Sequence, residues 1–258
     1  LILFPFAMYV IMSAKWLGKI AGIITLSIGV FALFLMNTRS TYVGFALIII
    51  LFFAGLIWKQ RTALKPALLF VLLPAVLAIF AANTRLKLAV AGQENAGGYG
   101  TVTKRIGDIN IASEQNSRIH LWGTAIDYAA HNPLLGAGYG NWKLASIPYE
   151  REVANELFVP YHAHNDFIEM FADLGIIGGL CFAGMFLLLL YYTVQFLNQK
   201  RGDELMVIIA FLAVTCYGVD ALLNFPAERT AMQTMLSLAA ALVLIPLEKT
   251  SLNLRVLP

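Results

Sequence analysis

The sequence predicts an all-α polytopic membrane protein: a multi-helix transmembrane bundle with one large polar loop. Three observations lead there. Of the 258 residues, 59% are hydrophobic and 13% charged, where a soluble domain carries about 25% charged residues. Apolar runs close to the roughly 20 residues needed to cross a hydrocarbon core recur along the chain. They are interrupted over 83–173 by a polar stretch that holds most of the acids.

The runs fall at 1–12, 20–36, 42–58, 66–82, 174–197, 205–222 and 230–247. The first starts mid-run at LILFPFAMYVIM, with no initiator Met and no signal-peptide layout, so the chain is expected to be the C-terminal part of a longer membrane protein. The domain reading is transmembrane helices over 1–82, a loop domain over 83–173, transmembrane helices over 174–247 and a tail over 248–258.

Short loops report orientation through Lys and Arg. One side gathers Lys15, Lys19, Lys59, Arg61, Lys65, Lys200, Arg201, Lys249 and Arg255, whereas the short loops opposite hold Arg39 and Arg229. The first side, tail included, is therefore expected in the cytoplasm, and the long loop outside it. A net charge of +3 gives no reason to expect a nucleic-acid partner. Cys181 and Cys216 lie inside apolar runs, where small buried hydrophobes are the expected reading.

Within the long loop, residues 93–116 are Gly-rich and polar. SRIHLWGTAIDYAAHNP follows, with Ser117 as N-cap, Ile119, Trp122, Ile126 and Ala129 at helical spacing, and Pro133 as the stop. This predicts an amphipathic helix on the membrane surface or on the bundle. Arg118 then sits in the first turn, against the helix dipole, and shares a face with Trp122. An anionic ligand or plain solvation would each account for that charge. PLLGAGYGNW carries Gly136, Gly138 and Gly140. Without a preceding strand or a following Lys-Ser/Thr, these glycines read better as a tight turn than as a phosphate loop.

YHAHNDFIEM, 161–170, concentrates polar groups where they are costly. Phe167, Ile168, Phe171 and Leu174 form an apolar stripe leading into the next span, so a helix starts here, capped by Asn165 or Asp166, with Glu169 in its first turns. His162 and His164 precede that helix at the outer membrane boundary. The positive helix end lowers a histidine's proton affinity and favours the neutral imidazole that a general base requires. Three readings stand: a capped turn with solvated histidines, a metal site using His162, His164 and Asp166, or a catalytic base. The ligand set for a tetrahedral zinc is incomplete.

Arg39, in the tight MNTRSTYVG connection, is either functional or snorkels to headgroups. Arg229, after Glu228 in NFPAERTAMQ, is expected to salt-bridge. Asp220, near the end of a run, is expected to face Arg or water. Arg39, Arg118, the histidine pair and Arg229 on one face would suit a diphosphate, which guanidinium groups bind bidentately.

These segments resemble the O-antigen ligase and O-antigen polymerase family of bacterial inner membranes. The resemblance is carried by TRSTYVG, by SRIHLW followed by NPLLGAGYGNW, by HAHNDFIEMFADLGIIGG and by DALLNFPAER, covering about 37–230. It implies a GT-C-like membrane glycosyltransferase with short periplasmic helices over the active site. The implied reaction moves a glycan from undecaprenyl diphosphate to an acceptor hydroxyl: the lipid A-core in ligases, a carrier-linked repeat in polymerases, a protein hydroxyl in some relatives. By the same resemblance Arg39 and Arg118 hold the diphosphate and His164 is the base, with His162, Asn165, Trp122 and Arg229 as substrate contacts. No cofactor and no metal are implied, and no Asp-x-Asp pair occurs in the chain. The family's first several spans are absent from this sequence. A lipid-linked-anion transporter component and a metal-dependent membrane hydrolase are the readings from other classes.

Overall fold

The computed structural model describes residues 1–36, 39–90, 102, 111–149, 162–199 and 203–255, with side chains left out at 39–40, 90, 111–117 and 246–255. Among the described residues the regular structure is helical, without strands. In order come α1 (Phe4–Ser13), α2 (Trp16–Leu35), α3 (Arg39–Lys59), α4 (Arg61–Ala89), α5 (Ile111–His131), α6 (Trp142–Ala145), α7 (Asp166–Gln199), α8 (Glu204–Leu223) and α9 (Thr230–Arg255). A 3₁₀ turn, Pro226–Glu228, lies between α8 and α9.

Five helices, α2, α3, α4, α7 and α8, are long and apolar enough to cross a membrane. They coincide with the runs at 20–36, 42–58, 66–82, 174–197 and 205–222. The runs at 1–12 and 230–247 form shorter apolar helices, Phe4–Ser13 and Thr230–Ile245. Helix α4 widens into a π turn over Leu68–Leu72. Pro74 follows, and its ring crowds the Phe70 carbonyl while offering it no N–H, so the wider turn relieves the clash.

The chain divides into two compact units. Unit 1 comprises Leu1–Ile109, Tyr192–Cys216 and Ala239–Pro258. Lipid gives helices little hydrophobic reason to associate, so close packing through small residues does that work. Gly22 and Gly29 on α2 admit α1: a Cβ would stand 2.9 Å from Ile11 at the first and 2.5 Å from the Phe4 ring at the second. Phe4 meets Phe45 edge-on at 5.7 Å, and Phe34 stacks on Tyr42 at 4.7 Å. Lys59 donates 2.7 Å to the Leu197 carbonyl near the C-terminus of α7, where carbonyls lack helical partners.

Unit 2 comprises Asn110–Tyr191 and Tyr217–Leu238. Its polar half is organised around Trp142, 2% exposed, which packs with Ala125, Ala163 and Ala172. Two expectations for α5 are corrected here. The helix begins at Ile111, so Ser117 is inside it and Arg118 is not in its first turn. Its inward face runs through Trp122, Ala125 and Tyr128, while Ile119 and Ile126 are exposed. The small Ala125 leaves room for the Trp142 indole, which a strict apolar count does not foresee.

Helix α7 is broken at Gly175, whose φ of 67° and ψ of −168° are open essentially to glycine alone. The break lets the 133–138 loop lock in: Ile176 donates 2.8 Å to the Pro133 carbonyl, Ala137 donates 2.9 Å to Ala172 and Gly138 donates 2.7 Å to the Asp173 carbonyl. A Cβ on Gly175 would lie 2.4 Å from the Leu134 carbonyl oxygen. Leu134 and Leu135 in the loop are exposed, as are Ile176 and Ile177 just past the break, which suits a hydrocarbon boundary. Cys181, expected to be buried, is exposed on this helix, whereas Cys216 is buried.

Candidate functional site

All the groups assembled below belong to unit 2. The HAHND turn is built by its cap. Asn165 Oδ1 accepts from the Ile168 N–H at 3.2 Å and its carbonyl accepts from Glu169 N–H at 2.9 Å, so Asn165 starts α7. Asp166, 2% exposed, does not cap: its Oδ2 accepts 2.8 Å from the Ala227 N–H. This bond ties the start of α7 to the NFPAER turn, and so joins two of the segments that carried the resemblance.

His162 is held from both sides. Its Nδ1 lies 2.9 Å from Glu169 Oε1 and its Nε2 lies 3.3 Å from Glu228 Oε2. The second oxygen of Glu169 accepts 2.9 Å from the Ala163 N–H. Two carboxylates facing two ring nitrogens are both satisfied only by a doubly protonated ring. Burial pulls the proton affinity of His162 down, but the hydrogen bond and charge of Glu169, with Glu228 and Asp166, leave it raised.

His164 differs in every respect. Its φ is 54°, making it the one non-glycine residue with positive φ among those described. Such a conformation costs about 1–3 kcal/mol and clusters at functional sites. Its Nδ1 is buried with no hydrogen-bond partner among the described residues. Burial, then the positive charges of Arg118 and His162, lower its proton affinity. The sequence attributed a neutral imidazole here to the helix end; the structure supplies burial and Arg118 instead. The outcome is a ring that favours its neutral form, with an unused nitrogen, within electrostatic reach of the Arg118 guanidinium.

Phe225 orders both histidines. It stacks on His162 at 4.2 Å and meets His164 edge-on at 5.2 Å, while the Arg229 guanidinium lies over its ring at 5.2 Å. Of the salt bridges expected for Arg229, to its neighbour or to another helix, the one to Glu228 does not form: Glu228 turns to His162 and to Lys143, 3.8 Å away. Asp220 Oδ1 accepts 2.7 Å from Asn224 Nδ2. Trp122 packs against the Trp142 cluster, and its Nε1 is buried without a partner among the described residues.

The three-glycine turn does cradle an anion, but an internal one. Gly140 and Trp142 N–H groups each donate 2.7 Å to the Asp173 carboxylate. Asp173 closes the first segment of α7 and holds the loop that places Trp142. Sequence reasoning passed over it, along with Phe225 and the partnership of Glu169 and Glu228 with His162.

The metal set considered from sequence does not assemble. Instead His162, Glu169 and Glu228 present ligand atoms within 4.8 Å of one another. That trio is able to hold a cation, although a doubly protonated His162 already faces both carboxylates. Arg39 belongs to unit 1 and its side chain lies outside the described residues.

The fold and site define a polytopic helical membrane protein with a charged His–Arg–carboxylate centre at the head of a spanning helix. More narrowly, the chain belongs to the O-antigen ligase family, whose profile matches residues 22–183. It is also similar to the exopolysaccharide production protein ExoQ of Rhizobium meliloti (strain 1021), 27% identical over 235 residues, covering 86% of this chain and 48% of that protein. The chain thus spans about half the length of that relative. The motif resemblance is borne out at the level of the family.

Proposed function

We propose that this protein transfers a glycan from undecaprenyl diphosphate to an acceptor hydroxyl at the periplasmic face of the bacterial inner membrane. The carrying observation is His164: strained, biased toward its neutral form, with an unused buried nitrogen, and within electrostatic reach of Arg118. As the anomeric carbon–oxygen bond breaks, negative charge grows on the diphosphate and positive charge on the sugar ring. Arg118 stabilises the leaving diphosphate in a water-poor site. The neutral His164 accepts the acceptor's proton, a contribution of about 10²–10⁴-fold in rate. A single in-line displacement inverts the anomeric configuration, and NMR of the product checks it. No step requires a metal, so activity should persist in a strong chelator; loss would implicate His162, Glu169 and Glu228 as ligands.

The acceptor of a ligase is the lipid A-core. Similarity to an exopolysaccharide production protein favours a second reading, a polymerase in which another carrier-linked repeat is the acceptor. Purified full-length protein given labelled carrier-linked glycan and each acceptor separates the two. In the same assay His164→Ala should abolish transfer while the protein inserts and accumulates normally. Transfer at the wild-type rate by that variant would end the assignment of the base.

A further inference from the structure

A cavity of about 470 Å³ opens in unit 2, a size that ligand pockets commonly have. Its lining includes Tyr139, Asp166, Glu169, Asp173, Glu228 and Gln233. We propose that this cavity seats the acceptor and selects an uncharged, hydroxyl-rich glycan. The proposal rests on the transfer reading above.

Charge separates two poles within the unit. Arg118 acts on His164, and an anionic leaving group belongs there. The cavity instead presents four carboxyl groups, and the cations facing them are Lys143, 3.8 Å from Glu228, and His162, which pairs with Glu169 and Glu228. Two cations offset the acids only in part, so a diphosphate or an acidic sugar placed there meets residual like charge. Sugar hydroxyls meet acceptors. The oxygens of Asp173 and Glu169 and the Oδ2 of Asp166 each take one described bond from protein and keep a further lone pair for a donor. Those protein bonds fix the carboxylates in place before any ligand arrives, which lowers the ordering cost of binding.

Tyr139 supplies the remaining need. It is 56% exposed, and its hydroxyl donates to the Ala227 carbonyl at 3.4 Å and accepts from Gln233 Nε2 at 3.3 Å. Gln233 Nε2 also donates to the Ala227 carbonyl. The phenol ring is thereby anchored at the rim, where an aromatic face meets the C–H face of a pyranose. Glu169 and Glu228 belong both to this cavity and to the pair holding His162, so the acceptor seat adjoins the histidine turn.

The test uses full-length protein in lipid nanodiscs and saturation-transfer NMR, with a neutral methyl disaccharide and its uronic-acid counterpart as probes. The neutral probe should bind and the uronate should not. Gln233→Ala and Tyr139→Ala, on exposed positions, should each weaken the neutral probe about tenfold, the scale of one lost polar or stacking contact. Glu228→Gln should admit the uronate. In the transfer assay the neutral probe should raise the acceptor's KM and leave the donor's unchanged. Equal binding of the two probes, indifference to both rim variants at wild-type melting temperature, or competition with the donor would each overturn the assignment. His164→Ala separates the two ideas. Transfer surviving in it defeats the base, whereas lost transfer with equal binding of both probes defeats the acceptor seat alone.

Discussion

His162 and His164 stand two positions apart and are driven in opposite directions. His162 is raised by Glu169 and Glu228 against its burial, and His164 is lowered by burial and Arg118. The unfolded reference for each is about 6.5. The raised group stabilises the fold fully below that value and loses its contribution as pH climbs through the folded value. The lowered group contributes fully above about 6.5 and loses it as pH falls toward the folded value. Glu169→Gln should therefore destabilise by about 1.5–3 kcal/mol, the scale of a hydrogen bond to a charged group. It should also flatten the alkaline fall in thermal stability followed by pH-dependent melting. A base that works as the neutral imidazole gives a transfer rate that falls in acid, with a midpoint below about 6.5. Arg118→Lys should keep that midpoint while lowering the rate, because the charge stays and the fork is lost. Arg118→Gln should move the midpoint upward. A pH–rate profile unmoved by Arg118→Gln would mean that the guanidinium does not govern His164.

At the scale of elements, the break in α7 is the decisive feature. A continuous helix would carry the polar residues 166–173 along the axis of the span. The Gly175 break lets the 133–138 loop bond to the helix end and lets Asp173 collect the N–H groups of Gly140 and Trp142. Gly175→Ala combines a disfavoured backbone with a contact 2.4 Å from Leu134 oxygen, and should cost about 3 kcal/mol or more. Reduced monodisperse yield and a lowered melting temperature are the readouts. Asp173→Asn keeps one acceptor and turns an NH₂ toward a backbone N–H; a loss of about 1–3 kcal/mol is expected. Some of this was legible. The cap at Asn165, the helix after it and the stop near Pro133 follow from local chemistry. The pairing of Glu169 with His162 was not, because an acid early in a helix already has a sufficient local reason in the dipole. Nor was the anion in the glycine turn, since Asp173 is 33 positions from Gly140 and reaches it only across the fold.

For the whole molecule, apolar runs bounded by charge carry the architecture. Leu17, Phe80, Ile50 and Leu187 are exposed on spanning helices, as expected where lipid is the solvent. The distribution of Lys and Arg gives an orientation that impermeant thiol labelling can check. With the native cysteines replaced, a cysteine at Thr62 should react only from the cytoplasmic side, and one at Tyr149 only from outside. The reverse pattern would place the His–Arg centre in the wrong compartment for the proposed lipid-linked donor.

Seven apolar runs and the family were legible along the chain, because hydropathy and contiguous motifs are local properties; five of the runs form helices long enough to span. The folded arrangement sets which histidine holds its proton more tightly and which less, why Phe225 and Glu228 matter, and what the glycine turn holds. Those outcomes depend on desolvation and on groups such as Ala227 and Asp166, 61 positions apart, that a bond of 2.8 Å brings together. Proton affinity is set by neighbours in space, and no spacing along the chain encodes them.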